Sequence, residues 1–177
     1  MTISLYDATV PSFLQQLRAL DGLIAKAEAH CAETGTDEAT IQSARIAPDM
    51  LPFSWQVRWG PAHSIKAIEA IRSGTYSPDF HEPPATFAEQ REMVASAIAA
   101  LEALARADVD ALVGKDVVLS IPKADVHMPF VAEDFLLSFS LPNFYFHMAT
   151  AYNLLRANGV AIGKMDFLGA IRIKDAA

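Results

Sequence analysis

The apolar positions of this chain recur mostly at helical spacing. In PSFLQQLRALDGLIAKAEAHCAE, residues Phe13, Leu17, Leu20, Ile24, Ala27 and Cys31 alternate in steps of four and three. That spacing draws one apolar stripe down a helix. Pro11 suits the first turn, where its missing N–H costs nothing, and Thr34-Gly35-Thr36 ends the run. DEATIQSARIAPDMLPF reads as a short helical turn followed by two prolines. Pro52 is placed to open a second helix that stops at Gly74. Its main stripe is Val57, Ile68 and Ile71, and a narrower line runs through Gln56, Gly60, His63, Ala67 and Ala70. Pro61, inside this helix, predicts a kink.

Residues 73–85 are Pro-rich and irregular, long for a connection inside a compact domain. Read as a crossover running back along a helix, the segment makes the second and third helices parallel neighbours. Thr86 followed by Glu89 forms a capping box. It opens a long helix to about Val113 with a core face of Phe87, Val94, Ile98, Leu101, Ala105 and Leu112. Gly114 breaks it. DVVLSIPK and DVHMPFV then predict a small β-hairpin that caps one end, kept marginal by Pro122 and Pro129. From Glu133 the helical pattern returns, with Phe144, Met148, Ala151 and Leu155 on one face, a bend at Pro142 and a stop at Gly159. The tail VAIGKMDFLGAIRIKD is expected to fold back on the rest. The resulting fold class is all-α: one domain over 1–177, a four-helix bundle with a crossover and a hairpin.

Composition narrows the functional classes. Of 177 residues, 52% are hydrophobic and 20% charged, a globular balance, and the net charge is −7. That sign disfavours nucleic acid and anionic membrane surfaces, which demand a basic face. No apolar run approaches the ~18 residues of a membrane span, and MTISLYDATV has no signal-peptide pattern. A cytoplasmic protein is expected. The single cysteine, Cys31, lies in an apolar helix without a cation cluster, and reads as an inert, part-buried thiol.

Three segments carry a resemblance: LPNFYFHMATAYNLLRANGVAIGKMDFLG, SLYDATVPSFLQQLRALDGLIAKA and ARIAPDMLPFSWQV. Together they resemble a family of uncharacterised bacterial proteins within the DinB-like (YfiT-like) four-helix-bundle superfamily. The resemblance covers nearly the whole chain in the same order. It implies an up-down-down-up bundle and frequent dimerisation. It also brings a three-histidine divalent-metal site, with one histidine on the second helix and a pair spaced four apart on the last. That spacing puts two imidazoles on one helical face. Here His63 and His147 match, but Asn143 stands four before His147 and Ala151 four after it, so the triad is broken.

His147 falls beside the last helix's apolar stripe, together with Asn143 and Thr150. It reads as a core-edge histidine bonded to a neighbour, or as a contact to a ligand or metal. If the narrow line of the second helix faces the axis, Gln56, His63, Asn143 and His147 form a small polar ligand pocket. Asp49 and Asp134 are candidates to complete a mixed His/carboxylate metal set, although Asp134 reads equally well as an N-cap. His30, His81 and His127 are expected to be exposed. No nucleophile elbow, phosphate loop or HExxH is present. Trp55, Trp59, Phe144, Tyr145, Phe146 and Tyr152 exceed what one core face requires, which predicts a homodimer through a hydrophobic helix face.

The expected function is a non-metal binding or assembly module with a small-molecule ligand at the bundle mouth and no cofactor. The alternative is a metal-dependent enzyme, a hydrolase or thiol transferase by analogy alone, holding zinc or nickel on His63 and His147.

Overall fold

A computed structural model describes residues 3–174. The chain is mostly helical, with a small three-stranded sheet. Helix α1 spans Leu5–Thr34, capped at its start by the Ser4 side chain and at its end by Gly35 in the left-handed conformation. It begins a turn and a half before the expected start, and Pro11 lies inside it. The six residues ahead of Pro11 are helical because Leu5, Thr9 and Val10 are buried, and their burial outweighs the lost N–H. The short α2 (Glu38–Gln42) is capped by Asp37.

The second helical region divides into α3 (Phe53–Ala62) and α4 (Ile65–Ser73). The break at His63–Ser64 realises the kink expected from Pro61. Ser64 leaves helical geometry, and its hydroxyl donates to the Gly60 carbonyl at 2.8 Å. Gly74 closes α4 at φ 81°, a conformation that favours glycine. Thr75–Tyr76 then forms β1, which pairs parallel with β2 (Asp116–Ile121). This strand breaks the expectation of an irregular 73–85 segment. Two residues of alternating burial give too short a pattern to read.

The capping box at Thr86 and Glu89 is formed and opens α5, Phe87–Glu102. The long helix expected to Val113 stops there. A separate α6, Arg106–Asp110, follows a non-helical Ala105 at φ −72°, ψ 139°. Ala105 is therefore exposed rather than part of the core face, while Leu112 is buried. β2 pairs antiparallel with β3 (Val126–Val131) through a short 3₁₀ turn at Pro122–Ala124, so the sheet order is β1-β2-β3.

One turn of α7 (Ala132–Asp134) leads into a wide π-helical stretch, Phe135–Ser140, and then α8 (Leu141–Ala157). Pro142 is the physical cause closest to hand. It has no N–H for the Ser138 carbonyl, and the preceding Leu141 N–H bonds back five residues to Leu136. α9 (Lys164–Leu168) folds back on α1, where Gln15 and Gln16 donate to the carbonyls of Leu168 and Phe167 at 2.7 and 3.1 Å.

The core sits between α1, α3, α5 and α8. Phe13 and Phe144, both on stripes named from sequence, pack edge-on there at 4.9 Å, and Phe53 packs against Phe87 at 6.2 Å. No helix among the described residues is long and apolar enough to cross a membrane.

Candidate functional site

The site grows from the narrow line on α3. Gln56, Trp59 and His63 recur at steps of three and four, so they share one face, and all three are buried. Gly60 lets that face approach its neighbours. A Cβ there would lie 3.0 Å from Met148 Cε on α8 and 3.2 Å from Leu17 Cδ2 on α1. The close approach brings α3 against His147 of α8. The π-helical turn supplies the fourth side: Phe139 meets the His63 ring edge-on at 5.7 Å, and Ser140 Oγ donates to the His63 carbonyl at 2.9 Å.

His63 is 4% exposed and His147 9%. The Gln56 amide nitrogen donates to the Leu51 carbonyl at 2.7 Å, which turns its Oε1 towards His147 Nδ1, also at 2.7 Å. An amide oxygen only accepts, so His147 Nδ1 carries the proton and its Nε2 keeps the lone pair. The two imidazoles lie nearly parallel, 8° apart with centroids 5.6 Å apart. Trp59 completes a triangular three-ring cluster, 5.5 Å from His63 and 5.7 Å from His147.

Two polar atoms in this cluster, Trp59 Nε1 and His63 Nδ1, are buried and have no hydrogen-bond partner among the described residues. Each such orphan costs about 1–3 kcal/mol. Burial also keeps both imidazoles neutral. It pushes His147 down to about 4, and pushes His63 down to about 3 with His147 reinforcing the effect. Tyr76 of β1 stands 6.0 Å from His63, and its hydroxyl donates to the Ala62 carbonyl at 3.3 Å. Burial raises its pKa, so it stays a phenol.

Of the four residues expected to form a pocket, Gln56, His63 and His147 meet. Asn143 does not join them by any hydrogen bond: its amide donates to the Phe139 carbonyl at 2.7 Å. Asp49 and Asp134 are exposed and belong to no such cluster, and Asp134 makes no side-chain cap. His81 and His127 are exposed as expected, but His30 is half-buried beneath Gly159, where a Cβ would lie 3.7 Å from its ring. Burial raises the pKa of half-buried Cys31.

A three-histidine metal site does not fit these residues. Position 151 is a methyl group, the Asn143 amide is engaged, and His147 Nδ1 is held by Gln56. Among the described residues no group of three His, Cys, Asp or Glu side chains is placed to hold an ion. Two members of the cluster escaped sequence reasoning in this role. Trp59 was legible only as part of an aromatic load, although its spacing from Gln56 and His63 marks the same face. Tyr76 arrives through a strand pairing that no local pattern encodes.

The class so defined is a mostly helical chain with a buried imidazole pair set by its second and last long helical regions. The chain belongs to the family described as "Domain of unknown function (DUF1993)", which matches residues 5–168. It is similar to a DinB family member protein from Shewanella denitrificans. That crystal structure shares 30% identity, covers 97% of this chain and 96% of its own, and superposes with a TM-score of 0.79. No curated protein matches. The DinB-like likeness read from three sequence segments is therefore a property of the whole fold, and the family carries no assigned reaction.

Proposed function

We propose that this chain is a metal-free binding module in which Gln56, Trp59, His63 and His147 recognise a small, neutral, hydrogen-bonding ligand. The single observation behind this reading is the pair of orphaned polar atoms, Trp59 Nε1 and His63 Nδ1, in one buried ring cluster. A buried pair without partners calls for an explanation, and a bound group would supply one. The indole N–H seeks an acceptor. His147 offers a lone pair on Nε2 for a donor, and both imidazoles are neutral, so nothing in the stack attracts an anion.

Segment 77–85 packs over the Trp59 side of the cluster. Phe80 is 58% exposed and caps Trp59 edge-on at 5.7 Å. Arg58 pins that segment by an ion pair to Asp79 and by a bond to the Asp79 carbonyl at 3.2 Å. A thermal-shift screen of small amides, ureas and alcohols tests the reading. At least one should stabilise the wild type and leave His63→Leu unmoved; equal shifts in both chains, or none in either, would refute it.

The resemblance further implies how the helices are arranged. The long helices run up-down-down-up as a four-helix bundle, with segment 73–85 as the crossover and β2–β3 as its hairpin. Two chains associate as a homodimer through the outer face of the last helical region, where Leu137, Tyr145 and Phe146 are exposed. The protein works in the cytoplasm, in keeping with a lone cysteine. Sedimentation showing only monomer at micromolar concentration would remove the dimer. The competing reading, zinc or nickel on His63 and His147, is favoured by the free Nε2 lone pair of His147. It predicts one ion per chain in protein purified without an affinity tag, lost on His147→Ala.

A further inference from the structure

His63 and His147 line none of the principal cavities. The most enclosed of these, about 520 Å³, lies on the other side of Tyr76, where the α3–α4 break opens between β1, the 77–79 segment and Met93 of α5. Its floor is apolar, formed by Pro61, Ala62, Ala70, the Tyr76 ring and Met93. The Tyr76 hydroxyl already donates to the Ala62 carbonyl at 3.3 Å, which leaves it only as an acceptor.

The rim carries four charges, and they cancel in pairs. Arg58 is bonded to Asp79, and Lys66 to Glu69 at 3.0 Å. Three of the five Arg58 N–H groups are taken: besides the Nη2 bond to the Asp79 carboxylate, Nε donates to the Asp79 carbonyl at 3.2 Å and Nη1 to the Glu82 carbonyl at 3.5 Å. A carboxylate or ammonium ligand would lose hydration against the apolar floor and meet a rim of no net charge to repay it. A neutral ligand carries no such cost. The volume lies within the usual ~300–1,000 Å³ of a small-molecule site, with the apolar lining such sites share.

We propose that this cavity is a second binding site, separate from the imidazole stack, and that it takes an uncharged, largely apolar molecule of one to three fused rings or a short chain. The α3–α4 break at Pro61 shapes it, and the Arg58 pin holds its outer wall. Its charge selectivity comes from the paired rim: neutral molecules enter, ions are discriminated against.

The test uses 1-aminoanthracene, neutral at pH 8, as a fluorescent probe of the full chain. We expect saturable binding at micromolar concentration with one site per chain, and at least tenfold weaker binding of the anionic 8-anilinonaphthalene-1-sulfonate. Ala70→Trp fills the cavity from α4 and should weaken aminoanthracene binding at least tenfold. Should that variant lose its helical circular dichroism, Met93→Trp fills the same space from α5 and carries the same expectation. Absence of saturable binding, an anionic probe bound as tightly as the neutral one, or undiminished binding in the folded filled variant would each overturn the proposal.

Discussion

Acid should destabilise this protein well above the pH at which its carboxylates titrate, and the buried imidazoles set by how much. In the folded chain His147 is held down to about 4 and His63 down to about 3, against an ordinary value of 6.5. Burial is the main cause in both. Once unfolded, both rings take up protons as the pH falls through 6.5, whereas the folded chain refuses them until the pH reaches 4 and then 3. Between those limits the unfolded state binds more protons, so stability falls as pH falls. Their contribution is flat above about pH 7.5 and levels off again below the folded values. At pH 5 each ring favours unfolding by about 2 kcal/mol, or about 4 kcal/mol together, a large share of a typical ~5–15 kcal/mol.

Urea unfolding followed by circular dichroism from pH 8 to pH 5 measures this directly. The comparison is with the double variant His63→Leu, His147→Gln, which keeps the other three histidines. Asp79, Glu89 and Asp166, whose carboxyls are held low by hydrogen bonds, also stabilise the fold and lose that contribution in acid. Their losses occur below this window and are common to both chains. The wild type should lose about 4 kcal/mol more than the variant between pH 8 and pH 5. Parallel curves would mean that the rings are protonated in the fold, and the buried neutral stack would be wrong.

Other perturbations address the scaffold. Gly60→Val should cost about 1–3 kcal/mol in urea unfolding, because its side chain must displace Met148 and Leu17 where α3 meets α8. Arg58→Ala should leave stability within about 1 kcal/mol, since its partner Asp79 is mostly exposed. In a Trp55→Phe background it should nevertheless at least double acrylamide quenching of Trp59 fluorescence, as the segment carrying Phe80 loosens. Thr86→Ala should cost about 1 kcal/mol by removing the side-chain acceptor of the Glu89 N–H.

The helical framework was legible because burial follows periodicity. Phe13, Leu17, Leu20 and Ile24 on α1, and Phe144, Met148, Ala151 and Leu155 on α8, repeat often enough to fix a face. The capping box at Thr86 was equally plain, because its chemistry is local. What escaped was set by tertiary contact. The break before α6 follows no proline or glycine, only an extended Ala105, and β1 exists because a distant strand is there to pair with it. At the site, the partial match of His63 and His147 to a broken triad pointed to two rings that the fold brings within 5.6 Å of each other. That Gln56 would bond His147 while Asn143 turned to its own helix depended on rotations no spacing could supply.

The central claim is that His63 is kept for a ligand rather than for the fold, and the stability of His63→Leu at pH 8 tests it most directly. Removing an imidazole whose Nδ1 has no partner should leave the free protein as stable as wild type or more so, the relief of about 1–3 kcal/mol offsetting the lost ring contacts. A loss of 2 kcal/mol or more would show an ordinary core histidine whose packing the fold requires, and would contradict the account.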